Sequence, residues 1–397
     1  MDFFKAVKLD EAANILKSIL PEMGHEEIDL VSACGKILYE DIKADIDVPH
    51  FSRSTVDGYA VLSRDTTGST ASVPAMLKKA GAVEMGKGTN LKISRGEAVY
   101  VPTGGALPEG VDSVSMIEDS EDFIDFVAIY KALAVNENVI TKGFDIKEGD
   151  TIIKKGEILS ARHLGVAAAC GRTKVKVFKP LRFAVISSGD ELIEPSITPE
   201  TGKIRDINSY LLSSAVIETG GVITFQKRIK DSEEELKNAL SDALEASDVV
   251  LLSGGSSVGR GDLTAKMIKE MGEILCHGIA VKPGKPTIIA KAQNKAVIGL
   301  PGHPMAAYMM FTVLFDKALE RKGKKVIAKS EINFPSGEGK TALYPVKLKN
   351  IDGELKAMPL FSKSGMISTL SEADGFAVIE DKAEGVLKGA LLTVYPF

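Results

Sequence analysis

Two lysines flank a turn in the segment Lys282-Pro283-Gly284-Lys285, where a Pro-Gly pair reverses the chain. Ammonium groups are compact point charges that bind oxyanions, so the turn could aim both side chains at one phosphate or a similar anion. The alternative is a solvated turn that carries two surface lysines. The residue types alone leave both interpretations open.

A loop of serine and glycine, residues 253–259, precedes a predicted helix and contains Gly254, Gly255, Ser256 and Ser257. Free backbone N–H groups and the helix dipole at such a position favour an anion such as phosphate. The loop matches neither the GxGxxG pattern nor the P-loop pattern, so a plain tight turn is the alternative.

Three ionisable side chains accompany these loops. Glu191 and Asp262 each follow a predicted strand and its loop. Because carboxylates repel an oxyanion, we expect them to hold Mg²⁺ or to accept hydrogen bonds from a polar ring. Asp262 could instead cap the helix that follows it. His303 could act as a base, or it could only cap the next helix.

Strands alternate with helices from about residue 181 to residue 322, which predicts a doubly wound α/β domain. In such domains ligands bind beyond the carboxyl ends of the strands, so the loops described above should meet at one edge. The predicted strands are 181–189, 222–229, 248–255, 273–281, 287–292 and 296–302. The predicted helices are 207–221, ending in a glycine pair, 232–247, starting with a Ser232/Glu235 capping box, 263–272 and 303–322.

The rest of the chain contains mainly strand patterns. Residues 9–20 predict an amphipathic helix with Asp10 as its N-cap. From about residue 28 to 180, short alternating runs lie between glycine and proline turns. After about residue 330, an Asp352-Gly353 turn predicts a hairpin in a small β domain.

Two loops in the first half, 52–60 and 102–108, could also bind a ligand. The candidate residues are Asp57 in the first loop, Thr103 and Gly104 in the second loop, and the acidic Asp119 further along the chain. Both loops could equally be structural turns. Their residue types do not indicate what they would bind.

The composition excludes several classes of protein. The chain has 397 residues, a formal net charge of −5 and 44% hydrophobic residues, which indicates a folded protein of two to four domains without a nucleic-acid-binding role. Three widely separated cysteines argue against a disulfide scaffold or a ready-made zinc site. The longest apolar stretch, 305–315, is about half the length of a membrane span. With no secretory signal visible at the start, we expect a cytoplasmic protein.

Seven segments carry most of these features, in the order FSRSTVDGYAV, PTGGALPEGVDSVSMIED, ISSGDEL, GKIRDINSYLL, LLSGGSSVGRGD, VKPGKP and GLPGHPMAA. Together they resemble the molybdopterin molybdenumtransferases of the MoeA type, a family that includes the E domain of gephyrin-like proteins. The resemblance implies a multidomain α/β plus β fold of four parts. These are an elongated N-terminal domain (1–48 and 142–178), an inserted β-rich domain (49–141), a MogA-like α/β domain (179–328) and a C-terminal β-barrel (329–397).

The resemblance implies the last step of molybdenum cofactor synthesis, in which molybdate reacts with adenylylated molybdopterin and AMP leaves. The Ser/Gly loop would bind the pterin phosphate region. The two lysines would bind molybdate or phosphates, and Glu191 and Asp262 would bind Mg²⁺. The implied catalytic residues are Asp57, Glu191, Asp262, Lys282 and Lys285. The implied substrate-binding residues are Thr103, Gly104, Asp119, Asp206, Gly254, Gly255, Ser256, Ser257, Pro301, His303 and Pro304.

The resemblance also implies a homodimer whose site lies between the α/β domain of one subunit and the N-terminal half of the other. The expected protein partners of this homodimer are the molybdopterin-adenylylating protein and apo-molybdoenzymes or their chaperones. We expect it to bind neither nucleic acid nor a membrane.

Two alternatives remain open. One is molybdopterin adenylylation, although stand-alone adenylyltransferases of this kind consist of the α/β unit alone. The other is a non-catalytic cofactor-binding scaffold, which would predict an additional interaction segment.

The sequence departs from the family pattern at three places. The usual PGNPVS reads PGHPMA, which replaces the asparagine amide by His303 and the serine hydroxyl by Ala306. The usual SAMDGYA reads STVDGYA, and the turn before Asp150 carries fewer positive charges than usual. The first departure touches the presumed molybdate side, so altered affinity or a preference for tungstate is expected there.

Overall fold

The computed structural model of the chain describes residues 6–254, 261–320, 325–361 and 365–397, and of residues 261 and 262 the backbone alone. The chain divides into two compact units. One combines Met1–Glu26 with Phe178–Phe397, and the other is Glu27–Val177. Within the described ranges, no helix has both the length and the apolar character that a membrane span requires.

The first helix, α1 (Leu9–Ile19), buries the apolar face that the sequence predicted. The prediction of Asp10 as its N-cap is wrong. The N-cap position is Lys8, because the buried Leu9 already belongs to the helix and leaves Asp10 in the first turn. This helix shares a hydrophobic core with residues 181–318, so the structure groups it with the α/β part of the chain. The four predicted domain ranges stay predictions.

The unit Glu27–Val177 consists mainly of short strands, as predicted. Its elements, including those at its boundary, are β1 (His25–Asp29), β2 (Ile42–Lys43), β3 (Arg53–Ser54), β4 (Gly58–Val61), β5 (Ala75–Ala82), β6 (Glu97–Val101), β7 (Ser113–Met116), β8 (Ser120–Asp122), β9 (Phe126–Ile129), β10 (Val139–Ile140), β11 (Thr151–Ile153), α2 (Ala161–Ala169) and β12 (Lys174–Phe178), with 3-10 helices at Leu30–Ala33, Ser63–Thr66 and Ile117–Asp119. Six strands form one sheet in the order β7-β4-β6-β5-β9-β8, and β1–β12, β2–β11 and β3–β10 form pairs.

The α/β part follows in the other unit. Its elements are β13 (Arg182–Ser188), β14 (Leu192–Ile193), β15 (Ile204–Arg205), α3 (Asn208–Glu218), β16 (Val222–Ile229), α4 (Glu233–Ala246), β17 (Val249–Ser253), α5 (Gly261–Met271), β18 (Gly272–His277), β19 (Val281–Lys282), β20 (Ile288–Ala292), β21 (Lys295–Leu300) and α6 (Pro304–Ala318). Six of these strands form a sheet in the order β16-β13-β17-β21-β20-β18. Helices α1, α3 and α6 pack on one face, and α4 and α5 pack on the other. The predicted α/β domain is confirmed.

The sheet is mixed, because β20 runs antiparallel to both of its neighbours. Between β20 and β21 the chain turns through only Gln293 and Asn294, whose φ angles are 48° and 62°. Two positive φ angles in a two-residue loop are typical of a type I′ hairpin turn. Neither residue is a glycine, so the sequence predicted two short strands without indicating the hairpin.

Two helix ends show how local sequence sets the boundaries. Gly221 N–H donates to the carbonyl of Val216, and Gly220 N–H to that of Ile217, which forms the Schellman end that the glycine pair predicted. At the start of α4, Ser232 Oγ accepts from Glu235 N–H as predicted. The Glu235 carboxylate accepts from Lys230 N–H instead of closing the capping box.

The C-terminal region is a small barrel. Its elements are β22 (Val326–Ser330), β23 (Phe334–Pro335), β24 (Thr341–Ile351), β25 (Glu354–Pro359), α7 (Ser368–Glu372), β26 (Gly375–Ile379), β27 (Gly385–Val386) and β28 (Leu391–Pro396). Strands β24-β25-β22-β28-β26 close on themselves through the β24–β26 pairing. The Asp352-Gly353 turn joins β24 and β25, so the predicted hairpin and barrel are confirmed.

Candidate functional site

Three parallel strand ends meet at one edge of the α/β sheet. Strands β13, β17 and β21 are neighbours, and Ser187 pairs with Ser253, which pairs with Leu300. Directly after Ser253, Gly254 has a φ of 106°. A Cβ at this position would lie 2.0 Å from the carbonyl oxygen of Ser188. Only glycine therefore fits where the Ser/Gly loop leaves the sheet.

The loop after β21 lies beside the beginning of this Ser/Gly loop. A Cβ built on Gly302 would lie 3.9 Å from the Cα of Gly254. Pro301 is buried, whereas Gly302 and His303 are exposed. The predicted substrate-binding residues Gly255, Ser256 and Ser257 lie outside the described residues, as does the side chain of Asp262.

The lysine turn has a tightly fixed backbone. Ile279 N–H donates to Lys285 O over 2.9 Å, and Thr287 Oγ1 donates to Gly284 O over 2.7 Å. Gly284 has a φ of 121°, and a Cβ there would lie 2.4 Å from Met310 Sδ. The turn packs directly on α6, while the side chains of both of its lysines are exposed. It can present two ammonium groups to an anion in solution.

The single strand predicted over 273–281 is wrong. Strand β18 ends at His277, because Gly278 turns the chain with a φ of 100°. Val281 and Lys282 then form β19, which is not part of the α/β sheet and pairs with Thr341 and Ala342 of the barrel. Lys282 therefore stands at a junction between the two sheets.

A small pocket of about 30 Å³, enough for a water molecule or two, lies between these strand ends. It is lined by Gly254, Thr264, His277, Pro286, Ile288, Gly299 and Leu300. His277 was not selected from the sequence, although its position shortly before the lysine turn was an available signal. The neighbouring Cys276 is buried in the core, and burial raises the pKa of its thiol to about 11.

Glu191 follows β13 and is exposed. A Cβ on Gly189 would lie 3.0 Å from Glu191 Oε1, so the carboxylate folds over this glycine. Its side chain makes no hydrogen bond or ion pair with another residue of the described ranges, which leaves both carboxylate oxygens available there. Across the described part of the chain, three or more His, Cys, Asp or Glu side chains nowhere gather in a way that could hold a metal ion.

Asp206 is 3% exposed and fixes the start of α3. Its carboxylate accepts from Ser209 N–H over 3.1 Å and from Ser209 Oγ over 2.6 Å. Ser209 Oγ also lies 2.9 Å from Ser187 Oγ at the end of β13. The carboxylate thus ties a helix start to a strand end, and its predicted contact with substrate stays a prediction.

Asn208 belongs to the same edge, and the sequence interpretation did not select it. Its Nδ2 donates to Ser253 Oγ over 2.6 Å and to Gly302 O over 2.8 Å. The residue lies within the conspicuous segment GKIRDINSYLL. Its partners, however, are 45 and 94 residues away, which no local pattern indicates.

In the unit Glu27–Val177, the structure brings two of the predicted loops together. Asp57 Oδ1 accepts from Thr103 N–H over 2.9 Å, and Asp57 O accepts from Ile117 N–H over 3.0 Å. Gly104 has a φ of 80°. Asp119 ends the 3-10 helix that starts at Ile117, so all four predicted residues of this unit lie near one end of β4. Asp57 and Thr103 are exposed.

Comparison with known proteins identifies the family along nearly the whole chain. Residues 7–171 match the MoeA N-terminal region (domain I and II), residues 184–321 a probable molybdopterin binding domain, and residues 328–397 the MoeA C-terminal region (domain IV). A putative molybdopterin biosynthesis protein of Methanocaldococcus jannaschii is 37% identical over 93% of this chain and 92% of its own length. The chain belongs to the MoeA family.

Other members of the MoeA family support the assignment. A molybdopterin molybdenumtransferase of Haemophilus influenzae is 30% identical over 98% of both chains. The crystal structure of a molybdopterin biosynthesis MoeA protein from Pyrococcus horikoshii superposes with a TM-score of 0.83 at 38% identity and covers 99% of both chains. The similarity therefore extends over the fold as well as the sequence.

The first of the three departures from the MoeA pattern, at His303 and Ala306, lies at the start of α6. His303 occupies the N-cap position without a side-chain capping hydrogen bond, and Pro304 is in the first helical turn. His303 therefore occupies the predicted capping position, although its imidazole does not contribute a capping hydrogen bond. Ala306 is 5% exposed, so the methyl group that replaces the usual hydroxyl packs in the core.

We predict that Gly254→Ala destabilises the α/β part by at least about 2 kcal/mol, because alanine at this φ costs about 1–3 kcal/mol and its Cβ also collides with Ser188. Gly302→Ala is the matched control. Its Cβ meets nothing closer than 3.9 Å, so we expect a change within about 0.5 kcal/mol. Urea unfolding of both variants measures the difference. Equal stabilities would contradict the close approach at Gly254.

Proposed function

We propose that this protein inserts molybdenum into molybdopterin, using molybdate and adenylylated molybdopterin and releasing AMP. One observation carries the proposal: an exposed lysine pair on a fixed turn stands at the same sheet edge as two glycine loops. This arrangement occurs in a chain that matches named molybdenumtransferases over nearly its full length. The site would have to hold two anionic reactants close together, and cations with backbone amides are suited to that task.

Lys282 and Lys285 would bind the oxyanion and the phosphate groups. Their backbone is fixed by the turn, so little reorganisation is needed when an anion arrives. The Ser/Gly loop would bind the pterin phosphate region through backbone N–H groups at the start of α5.

The donor chemistry fits Mg²⁺. Glu191 offers an exposed carboxylate, and Mg²⁺ is usually held by one or two carboxylates together with substrate phosphates. We propose Glu191 and Asp262 as those ligands, Asp262 on its place in the sequence alone. When bound, Mg²⁺ neutralises negative charge on the phosphates. The Glu191 carboxylate forms no ion pair with a lysine or arginine of the described ranges, which keeps it available to the metal.

The remaining predicted residues keep their proposed roles. Asp57 is proposed to take part in catalysis. The residues proposed to bind substrate are Thr103, Gly104, Asp119, Asp206, Pro301, His303 and Pro304. The cytoplasmic location and the exchange of substrate and product with the adenylylating protein and with apo-molybdoenzymes or their chaperones stay predictions.

We propose that the protein is a homodimer. Static light scattering should then give twice the chain mass of 42.3 kDa. A mass that stays at one chain across a concentration series would contradict the proposal.

We predict that Lys282→Ala and Lys285→Ala each reduce molybdate-dependent AMP release about 10²- to 10³-fold, the usual effect of removing an electrostatic contact from the transition state. Both side chains are exposed, so the melting temperature should hardly change. Lys237→Ala, on the exposed side of α4, is the matched control and should keep full activity.

The assay combines purified protein, adenylylated molybdopterin, Mg²⁺ and molybdate, and follows AMP together with activation of an apo-molybdoenzyme. ATP-dependent formation of the adenylate would support the adenylyltransferase alternative instead. Tight binding of the adenylate with no turnover by any oxyanion would support the scaffold.

We predict that His303→Asn keeps or raises activity with molybdate, because it restores the amide that the family has at this position. His303→Ala is the control, since it removes the imidazole without providing an amide. The ratio of AMP release with molybdate to that with tungstate, measured for both variants, tests the effect on metal preference. An inactive His303→Asn variant would show that the imidazole has a role of its own.

A further inference from the structure

The side chain of Asn208 connects the end of β17 to the loop after β21 at the carboxyl edge of the sheet. We propose that Asn208 is a positioning residue, which holds the loop after β21 against the end of β17 in the place that the reaction needs. The inference rests on the proposed function of this edge. It concerns a residue that the proposed mechanism does not use.

Both donor hydrogens of the amide are engaged. Nδ2 donates to Ser253 Oγ over 2.6 Å and to Gly302 O over 2.8 Å. A primary amide has two N–H bonds in one plane, so the two acceptors are held in a fixed relation to each other. Ser253 is the last residue of β17 and is 2% exposed, whereas Gly302 lies in the exposed loop after β21. The amide thus fixes a loop carbonyl against a rigid strand end.

Asn208 is itself attached to a third strand end. It is the first residue of α3, and the preceding turn is fixed by the contact between Asp206 and Ser209. Ser209 reaches Ser187 at the end of β13, and Asp206, Ser209 and Ser187 are all at most 3% exposed. Leu212, one turn further along, is fully buried in the core. The amide therefore projects from a rigid base, which is the requirement for positioning.

The amide oxygen of Asn208 indicates that the residue acts through its two N–H donors. Asn208 Oδ1 is buried and has no hydrogen-bond partner within the described ranges. Leaving a buried acceptor unpaired is destabilising, and an aliphatic side chain would avoid this cost. The two donated hydrogen bonds offset the cost and hold the loop after β21 against β17.

The test compares Asn208→Ala, Asn208→Asp and Ser253→Ala. Asn208→Asp keeps the shape of the side chain but removes both donors, so it should resemble Asn208→Ala rather than the wild type. Asn238→Ala, on the exposed surface of α4, is the matched control. We expect kcat for AMP release to fall about 10- to 100-fold in both Asn208 variants, while KM for molybdate changes less than about threefold, because misplacement of bound groups slows the chemical step.

A double-mutant cycle tests whether Asn208 acts on kcat through its contact with Ser253. If Asn208 acts partly through Ser253, the double variant Asn208→Ala/Ser253→Ala is less impaired than the product of the two single effects. Multiplicative effects would overturn that route, and a wild-type kcat in Asn208→Asp would overturn the proposal.

Hydrogen exchange of the ligand-free protein gives a measurement that does not depend on the reaction. A peptide covering residues 299–306 should exchange at least about fivefold faster in both Asn208 variants, while a peptide covering α4 stays unchanged. Unchanged exchange at 299–306 would overturn the positioning role. If the wild type releases no AMP, the proposed function fails, yet this measurement still decides whether Asn208 holds the loop after β21. Ser253→Ala removes one of the two contacts and provides the same comparison should the Asn208 variants fold poorly.

Discussion

The parallel pairing of β13, β17 and β21 is the constraint on which the site depends. Parallel strands deliver their carboxyl ends to the same edge, so loops that are far apart in sequence begin within a few ångströms of one another. The close approach of Gly254 to Ser188 shows how little room the pairing leaves, since a single methyl group would collide with the neighbouring strand. The buried strand residues maintain the register, and the register in turn places the loops.

The electrostatics of this edge are local. The chain as a whole carries a net charge of −5, so it has no general attraction for anions. Positive charge is instead concentrated on a turn whose backbone is held by hydrogen bonds and by packing on Met310. A preorganised pair of charges is more effective than the same charges on mobile side chains of a flexible loop, because the protein has already met the cost of ordering the backbone.

Much of this architecture could be predicted from the sequence. The helix α4 has a clear apolar period and a capping serine, the glycine pair after α3 forms the expected Schellman end, and the Asp352-Gly353 turn makes the expected hairpin. The motifs also marked the loops that follow β13, β17 and β21. These features depend on neighbours within a few residues, which is the range over which sequence patterns carry information.

What could not be predicted depends on distant partners. The hairpin at Gln293 and Asn294 uses positive φ angles without glycine, and the departure of β19 from the α/β sheet becomes visible only when the barrel is present to pair with it. The role of Asn208 arises in the same way, from two acceptors brought to it by the fold.

The pairing of β19 also bears on how the protein is made. On one side, Val7 exchanges backbone hydrogen bonds with Gly278 and Ala280, and on the other, Val281 and Lys282 pair with Thr341 and Ala342, about 60 residues further along. During synthesis Val281 and Lys282 therefore acquire their barrel partners only after the start of β24 has left the ribosome. A nascent chain that already contains the complete α/β sheet would still lack this support for the residues that lead into the lysine turn.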